Sequence, residues 1–134
     1  MKDENQTLFS RDNFQDRRIA VVGVSQNPDK NGHRIFVDLL EADYDVVGVH
    51  PEAGIVEGQK LWPSLYPITP RPDLVITVVP PSVTERVVQN CIQLGIKQIW
   101  MQPGSESTVA IETAQKAGLE VISQACFMKY QALW

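Results

Sequence analysis

Two cysteines, Cys91 and Cys126, are the whole thiol supply of this 134-residue chain. That is too few for a disulfide framework or a four-ligand zinc site, and both are expected to be reduced thiols. Histidine is as scarce, with only His33 and His50. The carboxylates are scattered, with no paired-carboxylate spacing, no nucleophile–base triad and no metal-ligand cluster, so no catalytic and no metal-ligating residue is assigned. No apolar run approaches the roughly 18 residues a membrane span requires. The first residues, MKDENQTLFSRDNF, lack the apolar centre of a signal peptide. The expected location is therefore cytoplasmic, without a membrane partner. A net charge of −4 argues against a broad nucleic-acid footprint, although it leaves room for one anionic ligand at a local cluster of cations.

What the chain does contain is a regular alternation. Arg18–Val24 (RIAVVGV), Asp45–Val49 (DVVGV), Asp73–Val79 (DLVITVV), Ile96–Met101 (IKQIWM) and Leu119–Ser123 (LEVIS) read as strands, rich in β-branched residues and apolar on both faces. Between them stand helical patterns. Gly32–Ala42 sets Ile35, Phe36, Leu39 and Leu40 on one face, and a second helix buries Val87, Val88, Cys91 and Ile92. Ser82-Val83-Thr84-Glu85 has capping-box spacing, Gly95 suits a left-handed helix end, and Ser105 or Ser107 caps a third helix. From 52 to 72, Gly and Pro break any long element, and a turn with a one-turn helix near Ser64–Tyr66 is expected. The predicted fold is α/β, a Rossmann-like three-layer sandwich with a five-stranded, mainly parallel sheet, over 17–134. Residues 1–16 form a peripheral extension in this reading.

In such a sheet, ligands lie beyond the carboxyl ends of the strands. The loops there are Gly23–Asn31, His50–Gly54, Pro80–Ser82, Gln102–Ser105 and Gln124–Cys126. The first is written as a phosphate cradle. Gly23 allows a sharp turn after which Val24 leads into the loop, Ser25 and Asn27 offer side-chain donors, and the amides near Asn31-Gly32 open a helix. Lys30, His33 and Arg34 add positive charge at that helix start, where an anion is favoured. A plain strand-to-helix turn with solvated basic residues would carry the same letters.

The glycine spacing of a dinucleotide loop is absent, because Ser25 stands where the second glycine belongs. Asp43 and Asp45 stand at the start of the second strand, at the wrong end to hold ribose hydroxyls, and the strand finishes at His50-Pro51. NAD is disfavoured. Val79-Pro80-Pro81 offers a rigid apolar ledge for a flat base, and Gln102-Pro103-Gly104 brings a turn to the same edge.

Five stretches in order, IAVVGVSQNPDKNGHRI, VVGVHPEAGIVEGQKLWPSL, DLVITVVPPSV, GIKQIWMQPGSES and AGLEVISQACFMKYQAL, resemble the CoA-binding domain family. These are small Rossmann-like proteins related to the amino-terminal domain of the succinyl-CoA synthetase alpha subunit. The resemblance covers about residues 17 to 133. It implies CoA or acyl-CoA as cofactor, with Gly23, Ser25, Asn27 and Lys30 at the pyrophosphate and His50 and Pro51 near the 3′-phosphoribose. It also implies Val79, Pro80 and Pro81 beside the adenine, and Gln102, Pro103 and Gly104 next to them.

The synthetase's second domain, with its phosphorylated histidine, has no counterpart in this sequence. The expectation is a CoA-binding protein without catalytic machinery, acting as carrier, sensor or regulator. The family pattern includes a cysteine at Cys126, and a mixed disulfide with the pantetheine thiol is one use for it; a packed small side chain is the commoner fate of a free cysteine. Two other readings stay open, an NAD(P)-linked or thioester-handling enzyme component, and an interaction module without ligand. A homodimer fits as the assembly, closed dimers being the commonest oligomer.

Overall fold

A computed structural model describes residues 14–134. Five strands form one sheet: β1 (Arg18–Val22), β2 (Asp45–Val49), β5 (Leu74–Thr77), β6 (Gln98–Met101) and β7 (Glu120–Ile122). Their order is β2-β1-β5-β6-β7 and every pair is parallel. The short strands β3 (Ile55–Val56) and β4 (Gln59–Lys60) make a separate antiparallel hairpin. The helices are α1 (Asn31–Glu41), α2 (Pro81–Leu94), α3 (Thr108–Lys116) and α4 (Phe127–Tyr130).

The alternation of side chains along a strand explains the three layers. Ile19 and Val21 of β1, with Leu74 and Ile76 of β5, enter the core beneath α1, where Ile35, Phe36 and Leu39 meet them. Ala20 and Val22, with Val75, face the opposite core, closed by Val87, Val88 and Cys91 of α2 and by Ala110 and Ala114 of α3. A strand buried on both faces is apolar at nearly every position, which is why the central strands read as near-continuous apolar runs.

Pairing sets the carboxyl ends level. Val22 stands opposite Val49 on one side and Thr77 on the other, and Thr77 opposite Met101. The chain leaves β1 for one neighbour, β2, and returns to the other side as β5, so the strand order reverses between β1 and β5. The two connecting helices, α1 and α2, lie on opposite faces of the sheet, and a crevice opens between them at that switch point.

Some details differ from expectation. Ser82 does not cap α2. Pro80 is the N-cap and Pro81 the first helical residue, because proline's fixed φ suits that position and its missing N–H is lost there at no cost. Ser107, not Ser105, caps α3, its hydroxyl accepting from the Ala110 amide at 2.9 Å. Gly95 ends α2 with φ +74° as expected. The segment Ser64–Tyr66 is a bend and turn without a helical turn, and the hairpin was not anticipated. Its return brings Trp62 alongside β2 in a parallel bridge to Val49.

Residues 1–13 of the expected extension lie outside the described residues. Phe14, however, is wholly buried and stands edge-on to Trp100 and Phe127, with ring centroids 6.3 and 5.2 Å away.

Candidate functional site

The crevice at the switch point holds about 670 Å³, within the range of small-ligand sites. Six segments line it. They are Val22, Gly23 and Ser25 after β1; Lys30, Asn31 and Gly32 at the start of α1; Val49, His50 and Pro51 after β2; Pro63, Ser64 and Leu65 beyond the hairpin; Val78, Val79 and Pro80 after β5; and Val83, Arg86, Val87 and Asn90 on α2.

The turn between β1 and α1 is compact because two glycines permit it. Gly23 has φ +108°, and a Cβ there would run into the Val78 carbonyl. A Cβ on Gly32 would strike the carbonyl oxygen of Gly23 itself, so the start of α1 sits directly on the end of β1. Inside the loop, Ser25 Oγ accepts from the Asn27 amide at 3.0 Å, and Asn27 Oδ1 from the Asp29 amide at 2.9 Å. His33 Nδ1 lies 2.7 Å from the Ser25 carbonyl. These bonds fix the loop from within. Lys30 gives α1 no side-chain cap, so the helix presents its first N–H groups to the crevice mouth, where an anion would satisfy them.

The amides of Gly23 and Val24 are not part of that offer. Both donate to the Val49 carbonyl, at 2.9 and 3.1 Å, and tie the loop to β2.

The electrostatics are one-sided. No Asp or Glu among the described residues lines the crevice, although the chain holds 16 of them against 12 Lys and Arg. Lys30 and Arg86 line it, and neither is in an ion pair; among the described residues the ion pair found is Arg18–Asp45, at the other end of the strands. The floor between the two cations is apolar. This donor set suits a ligand with a phosphate near α1 and a flat apolar part towards α2.

Of the residues expected at the site, Gly23, Ser25, Lys30, His50, Pro51, Val79 and Pro80 are brought together in the crevice. The others are placed elsewhere. Val24 is buried in the core beneath α1, and Asn27 spends its side-chain oxygen within its own loop. His33 points back to the loop, and Arg34 stacks on Trp134, its guanidinium carbon 4.3 Å from the ring centroid. Trp134 Nε1 donates to Asp38 on the same helix at 2.7 Å. Pro81 is exposed at the first turn of α2, and Pro103 and Gly104 are exposed on the β6–α3 loop.

Gln102 is buried and bridges that loop to α4, accepting from the Phe127 amide at 2.6 Å and donating to Cys126 Sγ at 3.4 Å. Cys126 is half-buried there, outside the crevice lining. The amides near Asn31-Gly32 lie in the crevice as expected, whereas Ser64, Leu65, Arg86 and Asn90 are lining residues that sequence reasoning missed. Those on α2 had a legible signal, since 83, 86, 87 and 90 share one helical face. Ser64 and Leu65 had none, because the hairpin decides where they go.

A family model described as CoA binding domain matches residues 17–131. The alpha subunit of ADP-forming acetate–CoA ligase I from Pyrococcus furiosus is 28% identical over 130 residues, covering 85% of this chain and 28% of the subunit. The chain thus spans under a third of the length of that relative. The uncharacterized protein YneT of Bacillus subtilis is 27% identical over 110 residues, 82% of each chain. Among solved structures, a conserved hypothetical protein from Pyrococcus furiosus is 37% identical with a TM-score of 0.81, covering 84% of this chain and 97% of that one. A hypothetical protein from Pyrococcus horikoshii superposes with a TM-score of 0.87 at 29% identity, covering 98% and 91%.

Proposed function

The chain belongs to the CoA-binding domain family, and on that premise we propose that its crevice binds CoA or acyl-CoA, with no catalytic group of its own. The observation that carries this reading is the crevice at the strand-order reversal, lined by no acid among the described residues, with the uncapped start of α1 on one side and an apolar ledge on the other. Ser25, Lys30 and the amides of Asn31 and Gly32 would hold the pyrophosphate. Val79 and Pro80, faced by Pro63 and Leu65, would take the adenine. The reading requires no bond to Cys126, and it fits a carrier, sensor or regulator of CoA.

Isothermal calorimetry with CoA, acetyl-CoA, NAD and ATP tests it. CoA or acetyl-CoA is expected to bind in preference to NAD and ATP. Lys30→Ala should weaken CoA roughly 10-fold, the scale of one charge-assisted hydrogen bond at an exposed position. Arg34→Ala should leave the affinity unchanged, because its guanidinium is stacked on Trp134. NAD binding more tightly than CoA, or no heat with any CoA species, would sink the reading.

A further inference from the structure

The expected loop cations, Lys30, His33 and Arg34, leave one positive charge in the crevice unaccounted for. Arg86 projects from α2, on the opposite face of the sheet from α1, and lines the same crevice as Lys30. It is exposed, and among the described residues its side chain has no hydrogen bond or ion pair. Its helical neighbours on that face are Val83 and Val87, both lining the apolar floor, and Asn90 one turn on. Asn90 Nδ2 is turned outward to the Tyr66 hydroxyl at 3.4 Å, and that hydroxyl donates to Gln93. An arginine without a side-chain partner among the described residues, beside an apolar slot that no described carboxylate lines, has the planar fork that recognises phosphate by two parallel hydrogen bonds.

Resting on the CoA reading, we infer that Arg86 is a specificity residue that reads a second, ribose-borne phosphate, the 3′-phosphate of CoA, while Lys30 and the start of α1 hold the pyrophosphate. The rival position for this phosphate is the turn after β2. There His50 has Nδ1 engaged by the Glu52 amide at 3.1 Å, and the Glu52 carboxylate is the next charge along the chain. An acid beside a histidine already in use is a poorer phosphate partner than a free guanidinium. The slot formed by Leu65, Val79, Val83 and Val87 places a bound base between the two cations, so the ribose it carries can present a phosphate towards α2.

The test is a calorimetric comparison of CoA with 3′-dephospho-CoA on wild type, Arg86→Gln and Arg86→Lys. Glutamine keeps the helix propensity of an exposed helical position, so the fold is not at stake. Wild type should prefer CoA by roughly 10- to 100-fold. Arg86→Gln should lose that preference while binding 3′-dephospho-CoA as wild type does, and Arg86→Lys should fall between. Equal binding of the two ligands by wild type overturns the assignment, as does an equal loss for both in Arg86→Gln. A preference for CoA that survives Arg86→Gln and disappears in His50→Ala moves the phosphate to the β2 turn. No binding of either ligand by wild type removes the CoA reading itself.

Discussion

Gly32→Ala tests the site through the backbone. In an ordinary helix this exchange would stabilise the protein by up to about 1 kcal/mol, since alanine is the better helix former. Here the new methyl group would overlap the carbonyl oxygen of Gly23. A flexible side chain could swing aside, but this neighbour is main chain at the end of a central strand, held by the Gly23 and Val24 amides on Val49. The start of α1 has to move instead. Overpacking of this kind costs roughly 1–3 kcal/mol, and the net destabilisation should be about 1–2 kcal/mol after the propensity gain. At this chain length 1 kcal/mol corresponds to about 4 °C in Tm, so circular dichroism should show a fall of about 4–8 °C.

The same displacement takes the α1 amides and Lys30 out of register with the rest of the crevice. CoA affinity should therefore drop together with Tm. Gly118→Ala is the control. Its φ of +87° penalises alanine by about 1–2 kcal/mol, yet nothing lies within 4 Å of the new methyl group, and the position is remote from the crevice lining. It should lower Tm and leave CoA affinity unchanged. A Gly32→Ala protein with wild-type Tm and wild-type CoA affinity would refute the close-contact account.

Two further outcomes follow from the cores. Phe14→Ala should cost about 3–5 kcal/mol, as for other buried aromatic truncations, measured by urea denaturation; a loss below 1 kcal/mol would show that Phe14 is dispensable to the Trp100–Phe127 cluster. Burial pushes the Cys91 thiol from 9.0 up to about 12. The neutral thiol is the folded form, so its contribution is complete below pH 9 and is lost as pH climbs towards 12, by up to about 1.4 kcal/mol per pH unit. Urea midpoints between pH 8 and 11 should fall more steeply for wild type than for Cys91→Ala, and equal slopes would contradict it.

Much of the fold was legible because the central strands β1, β5 and β6 are buried on both faces and so are apolar at nearly every position. The ends of the strands were less so. The run Asp73–Val79 outlasts β5 because Val78 and Val79 continue past the last ladder pair into the crevice wall, and the run Ile96–Met101 starts before β6 because Ile96 packs in the core beneath α2 ahead of the first pair. The hairpin was hidden because β3 and β4 are two residues each, too short for a period to show. Ser82 was a sound cap by its neighbours, but Pro80-Pro81 had already started the helix. Half of the site was legible for a related reason. The loop after β1 could be read letter by letter, whereas Leu65 and Arg86 reach the crevice only through the hairpin's return and the phase of α2.

Arg34 and Arg86 show what decides membership of the site. Arg34 is four residues from Lys30, yet it lies on the face of α1 that Trp134 covers; Arg86 is 56 residues further along the chain than Lys30 and shares its crevice. The sheet sorts charge along its strands. At the amino edge Asp45 pairs with Arg18 at 2.9 Å, Asp73 accepts the Arg18 amide at 2.9 Å, and Glu120 accepts from Gln98 at 2.9 Å. Those acids stand at or just before strand starts, where they answer basic and amide groups of neighbouring strands. The carboxyl edge receives the positive end of the α1 dipole, together with Lys30 and Arg86, and no acid among the described residues lines its crevice. An acid at the end of β2, as a free ribose diol would need, is missing for the same reason that a phosphate is welcome: the carboxylates that pair in this sheet do so at its far end.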